Sequence, residues 1–153
     1  MNPEFDEKKF DSQYYGNQFT IDLYKDWKDK TIYTIAGPVS DGIQHNIIIT
    51  VDYEAKYNSV VDFAEWQIKT LEDNLKGCLL LKKGNKILLN KMPAYEAIFR
   101  WYPTDKLRLY QHQIYILHET IGFQLTASFT KKTRKMFGPP VERMMLSFNP
   151  QKK

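Results

Sequence analysis

Apolar and polar side chains alternate over Phe19-Thr20-Ile21-Asp22-Leu23-Tyr24, the period-two signature of a half-buried strand. Asp26-Trp27-Lys28-Asp29 turns the chain, and Thr31 to Ile35 reads as a second strand. Gly37, Pro38, Asp41 and Gly42 predict a loop before His45 to Tyr53. Within that stretch Ile47-Ile48-Ile49-Thr50-Val51 is apolar on both pleat faces, as expected of a central strand covered on both sides. The period then changes. Ser59 is a helix N-cap, with Asp62 three residues on. Val60, Ala64, Ile68, Leu71 and Leu75 follow at helical spacing until Gly77 stops the helix. Leu79 to Lys83 and Lys86 to Asn90 flank Gly84-Asn85 and predict a hairpin. Three further strands are expected at Ala94 to Trp101, Leu107 to Leu117 and Gly122 to Phe129. Pro139 and Pro140 suit the first turn of a short last helix, which would set Val141, Met144, Met145 and Phe148 on the sheet. Residues 1–16 read as a flexible arm, and 17–150 as one domain. Helices do not alternate with strands, so the order argues for an α+β fold with an antiparallel sheet flanked by helices.

Composition narrows the class. The 153 residues are 42% hydrophobic and 26% charged, enough apolar mass for one sizeable core. The net charge of +4 owes much to Lys131, Lys132, Arg134 and Lys135, with Lys152 and Lys153 at the end. No nucleic-acid motif accompanies that run, so it reads as a solvated face and no nucleic-acid partner is expected. The lone cysteine, Cys78, beside Leu79-Leu80-Leu81, excludes an internal disulfide and reads as a buried, inert thiol. Met1 to Phe10 is polar and lacks the apolar stretch of a leader, and no apolar run approaches the roughly 20 residues that span a bilayer. A cytoplasmic protein that is not membrane-embedded is the expectation.

Chemistry is sparse along the chain. His45, His112 and His118 have no ligand spacing, and the last two read as half-exposed strand positions. Glu65, Glu72 and Asp73 fall on the polar side of the predicted helix. No phosphate loop, no nucleophile elbow and no legible cluster of His, Asp and Glu occurs, so no catalytic residue, metal or cofactor is expected. The anomaly is glutamine. Gln67 lies inside the apolar arc of the helix, in one row with Phe63 and Leu71. Gln111 and Gln113 interrupt an otherwise apolar pleat face of Leu107, Leu109, Tyr115 and Leu117. A buried amide without partners costs roughly 1–3 kcal/mol, so these amides either pair with each other and with backbone or line a groove for a guest.

Ordered motifs add to this reading. Trp27-Lys28-Asp29-Lys30-Thr31-Ile32, Ile47 to Asp52 and Phe63-Ala64-Glu65-Trp66-Gln67-Ile68 are followed by Met92-Pro93-Ala94 and Phe99-Arg100-Trp101. Leu109-Tyr110-Gln111-His112-Gln113, Gly122 to Ala127 and Leu146-Ser147-Phe148 complete the series. In this order and spacing the chain resembles the DcrB-related family over residues 17–149. The resemblance implies a PsbP/Mog-like α/β/α sandwich. Members without a leader resemble the Eag chaperones of type VI secretion, homodimeric adaptors that hold apolar N-terminal helices of an effector protein before export. Carried onto this chain, the resemblance implies a partner-binding groove of Ile32, Thr34, Ile48, Gln67 and Gln111, with Gln113 beside them. Thr34 stands where those chaperones commonly have an aliphatic residue. The alternative on the same fold is a regulatory or stress-related adaptor for a soluble protein.

Overall fold

A computed structural model describes residues 5–151. Lys152 and Lys153, and the first four residues of the expected arm, lie outside the described residues. The chain divides into two compact units, one ending at Thr31 and one starting at Ile32.

In the first unit the expected arm holds a strand. A 3-10 turn at Glu7–Lys9, capped by the Asp6 carboxylate, leads into β1 (Phe10–Tyr15), which pairs antiparallel with β2 (Thr20–Tyr24). Aromatic contacts hold this hairpin, Phe10 edge-to-face with Tyr24 at 5.1 Å and Tyr14 tilted against Phe19 at 5.7 Å between centroids. The Tyr14 and Thr31 hydroxyls lie 2.9 Å apart, and the Thr31 amide donates to Asp29 Oδ1 at 2.8 Å.

The second unit is a six-stranded antiparallel sheet with two helices. Its strands are β3 (Ile32–Ser40), β4 (Ile43–Asp52), β5 (Leu79–Ile87), β6 (Pro93–Thr104), β7 (Leu107–His118) and β8 (Ile121–Phe129), in the spatial order β3-β4-β8-β7-β6-β5. Helix α1 is Val60–Asn74 and α2 is Lys131–Leu146. Because successive side chains leave opposite faces of a pleated strand, neighbouring core residues report which face each helix covers. Phe63, Ala64 and Ile68 of α1 pack with Tyr95, Ala97, Phe99 and Tyr115. Met145 of α2 joins Tyr110, Ile114, Ile116, Leu125, Ala127 and Phe129. The odd residues of β6 and the even residues of β7 thus serve different helices. The unit is an α/β/α sandwich.

Three local expectations change. Gly37 and Pro38 belong to β3, which runs on past a register shift between Ala36 and Val39. The turn is Asp41-Gly42, with φ of 51° and 79°, the positive pair a two-residue hairpin demands. Gly84-Asn85 is no turn, because neither residue has positive φ and β5 runs straight through them against the long β6. The turn follows at Leu88–Met92, where Lys91 has φ 73° and the Asn90 side chain accepts from the Met92 amide at 3.0 Å. Finally, α2 starts two turns before its prolines. Thr130 caps it by accepting from the Thr133 amide at 3.1 Å, while Thr133 Oγ1 accepts from the Thr130 amide at 2.9 Å. This reciprocal cap satisfies two otherwise orphaned N–H groups and sets the start. Lys131, Lys132 and Lys135 then lie on the exposed side of the helix. Among the described residues no helix is long and apolar enough to cross a membrane.

Candidate functional site

The two helices cover unequal parts of the sheet. α1 rests on β5, β6 and β7, and α2 on β7 and β8. On the α1 face, α1 reaches β8 only at its start, where Phe63 packs on Gly122, and among the described residues neither helix packs along β4 and β3. Register places the sequence-predicted strand residues on this one face. Thr34 pairs with Ile48, Ile48 with Thr126, and Thr126 with Gln113, while Ile32 pairs with Thr50 and Gln111 with Ser128. Ile32 is 61% exposed, Thr34 is exposed, and Ile48, Thr50, Thr126, Ser128 and Gln111 are half-buried. Gln67 reaches the same area from α1, where it lines a hollow of about 170 Å³ with Thr50, Asp52, Phe63 and Gln124.

The glutamines differ in how they are held. Gln113 is 2% exposed, and its Oε1 accepts from Gln124 Nε2 at 2.8 Å and Thr126 Oγ1 at 2.7 Å. Gln111 Nε2 donates to Ser128 Oγ at 2.9 Å, which leaves its carbonyl oxygen for another donor. Gln67 is half-buried, and its amide has no hydrogen-bond partner among the described residues. Gln113 thus follows the pairing alternative, and Gln67 offers a complete amide to a guest. Apart from Asp52 at one end, the half-face is uncharged, with aliphatic positions at Ile32, Ala36 and Ile48 beside a band of amides and hydroxyls.

Comparison with known proteins follows the architecture. The family model of DcrB matches residues 18–137. The chain belongs to the DcrB family. It is similar to PA94, a Pseudomonas aeruginosa protein of unknown function for which a regulatory role has been suggested, with TM-score 0.74 and 17% identity over 93% of this chain and 98% of that one. It is also similar to the cyanobacterial PsbP of Synechocystis sp. PCC 6803, with TM-score 0.56 and 8% identity over 92% of both chains. At such identities the likeness speaks for the fold, which is the PsbP-like one. No curated protein matches the chain in sequence.

On its opposite face this DcrB-family chain holds an ionic cluster that the sequence does not announce. Ligand-type atoms of Glu96, His112 and Glu142, from β6, β7 and α2, lie within 4.8 Å of one another. They border a cavity of about 200 Å³, together with Lys82, Tyr110 and Arg134. Far from half-exposed, His112 is 8% exposed, and its Nε2 is 2.7 Å from Glu96 Oε2. Burial pushes the Glu96 carboxyl up, but the His112 hydrogen bond and charge, with Lys86 and Lys82, outweigh it and hold it at about 2. The position a cation would take is already filled. Lys86 Nζ lies 3.6 Å from Glu96 and 3.1 Å from Glu142, and Lys82 Nζ lies 3.3 Å from Glu96. The group is therefore a compensated ion network that ties α2 to the sheet.

Two smaller differences complete the account. Glu65, expected in solvent, accepts from Tyr95 Oη at 2.7 Å and from Lys83 Nζ at 3.0 Å. Cys78 is half-buried, and burial raises its thiol above the usual range. Gln124, which completes the band of amides, had a signal in the alternation Gln124, Thr126, Ser128 with Phe123, Leu125 and Ala127. That alternation marks one polar and one apolar strand face, but not what the polar face meets.

Proposed function

We propose that this protein is a non-enzymatic, cytoplasmic, homodimeric chaperone that shields apolar helices of a partner protein, in the manner of an adaptor for type VI secretion effectors. The observation that carries the reading is the uncharged, helix-free half of the α1 face. Its three strands span roughly 10–15 Å at about 4.8 Å per strand, and a ten-residue strand is about 34 Å long. A helix of 20 residues is about 30 Å long and 10–12 Å across, so one membrane-type helix fits along the strands. Ile32 and Ile48 would cover its apolar surface, while Gln67 and Gln111 would meet the polar side chains by which such helices pack in a bilayer. Exposed apolar helices aggregate in water, so covering them is a sufficient reason for a dedicated partner. Helix-in-groove recognition is the corresponding mode.

The test is detergent-free capture of a synthetic 20-residue apolar helix bearing one Asn. The wild-type chain should keep it soluble. Gln67→Ala and Gln111→Ala should weaken capture at least tenfold while their urea midpoints stay near that of the wild type. Variants that merely unfold, or that bind as well as the wild type, would sink the groove. A pull-down from the native host adds the identity of the guest, and a large protein with apolar N-terminal helices is expected.

One observation favours a second reading, since PA94 has a suggested regulatory role. An adaptor for a soluble protein would use the same half-face but would leave the apolar peptide uncaptured. The Glu96 cavity gives an enzymatic reading little support, because its lining residues include no Ser, Thr or Cys and both carboxylates are already paired with ammonium groups.

A further inference from the structure

The uncharged floor of the α1 face ends on one carboxylate. Asp52 is the last residue of β4 and stands opposite Gly122 of β8, with Thr50 opposite Gln124 one pleat earlier. Alternate residues share a strand face, so Asp52 continues the row of Ile48 and Thr50 towards α1. There Thr50, Asp52, Phe63, Gln67 and Gln124 wall the hollow of about 170 Å³, and every wall belongs to the second unit.

The polar groups of this hollow are mostly acceptors that lack a donor. Half-buried Asp52 accepts from the Glu54 amide at 2.9 Å through Oδ1, while Oδ2 has no partner among the described residues. Gln124 uses its Nε2 on Gln113 at 2.8 Å, which leaves its Oε1 open. Gln67 adds a second unused carbonyl oxygen. No lysine or arginine lines the hollow, and Asp52 has no ion pair among the described residues. A carboxylate ringed by neutral acceptors is complementary to an ammonium or guanidinium group, which carries donors only.

We propose that this hollow holds a Lys or Arg side chain at one end of the guest helix and so fixes which way the guest lies. The inference rests on the chaperone reading and adds a charged specificity residue, Asp52, to the same groove. Membrane-type helices carry Lys and Arg at their ends, on apolar stems long enough to lie along the helix while the charge reaches a polar site. Gln111 beside Ser128 marks the other end of the floor. Six residues of β8 separate Gly122 from Ser128, roughly 20 Å, which a helix covers in about 13 residues. The guest is therefore an apolar helix with a basic residue about 13 positions from the polar residue that meets Gln111. An acidic residue at the Asp52 end would meet like charge and be refused.

Two measurements on the full chain separate this site from the groove. First, n-butylammonium chloride, compared with equal sodium chloride, should shift the side-chain amide NMR signals of Gln67 and Gln124 saturably. Asp52→Asn should abolish that shift, and it keeps an oxygen for the Glu54 amide, so the fold is retained. Second, three 20-residue apolar peptides bearing one Asn differ only in a Lys, Gln or Glu about 13 positions away. The wild type should capture them in the order Lys, Gln, Glu, with about fivefold between steps. Asp52→Asn should level the series, and Asp52→Lys should invert it. Amide signals that ignore butylammonium, or that still respond in Asp52→Asn, overturn the site. Equal capture of the three peptides overturns it too and leaves the chaperone reading standing. Butylammonium bound at Asp52 with no peptide captured would instead defeat the chaperone reading, and the guest helix with it.

Discussion

Single side chains divide into those the fold consumes and those it leaves available. Gln113 satisfies two neighbours from a position 2% exposed, so Gln113→Ala strands the Gln124 and Thr126 donors and should cost about 1–3 kcal/mol in urea unfolding. Gln67→Ala should leave stability within about 0.5 kcal/mol, because its amide has no partner to lose among the described residues. Tyr115 is the converse case. It is fully buried and its hydroxyl has no hydrogen-bond partner among the described residues, so Tyr115→Phe should hold or raise the thermal midpoint. Glu96 sets the acid response. Its carboxyl is held at about 2, below the ordinary 4.5, so the stability it supplies is present above about pH 4.5 and lost as pH falls towards 2. Of order 3 kcal/mol is at stake, and the acid loss of stability should shrink in Glu96→Gln when unfolding is followed from pH 6 to 2. The glutamine anomaly was legible from its pleat face and helical arc. The partners of Glu96 were not, because His112 and Glu142 lie 16 and 46 residues away and only pairing and packing bring them near.

Elements follow the chain's periodicity where one signal acts alone, and depart from it where signals compete. α1 obeys its cap and its stop: the Ser59 hydroxyl accepts from the Asp62 amide at 3.1 Å, and Gly77 takes φ 62° after the helix. β5 disobeys the Gly-Asn signal because β6 offers a partner for the whole strand, and continuous pairing outweighs a turn propensity worth less than the hydrogen bonds a turn would forfeit. For α2, the prolines suggest a start, whereas Thr130 and Thr133 fix it at Lys131, eight residues before Pro139. Pro139 and Pro140 inside the helix remove two backbone donors, so the helix depends on its cap and on packing at Met145. Thr130 also donates to Asp41 at 2.6 Å, tying the cap to the β3–β4 turn. Thr130→Ala should therefore lower stability by about 1–2 kcal/mol, visible as a lower urea midpoint at unchanged slope.

For the whole molecule, all core residues of both helix faces lie between Ile47 and Met145, within the second unit. A chain shortened to begin at Ile32 should keep one cooperative thermal transition, and loss of that transition would place part of the folding core in the first unit. Strand content, the long helix, the antiparallel α+β class and the suspicious glutamines were all determined by the sequence itself, because side-chain period and local capping act over a few residues. Tertiary structure alone decided three things. It set the strand order β3-β4-β8-β7-β6-β5, which lines up Thr34, Ile48, Thr126 and Gln113. It left half of one face without a helix. It joined Glu96, His112, Glu142 and Lys86 into one network. Each is a relation between residues far apart in the chain, settled by which surfaces bury most apolar area together, and no local pattern encodes such a pairing.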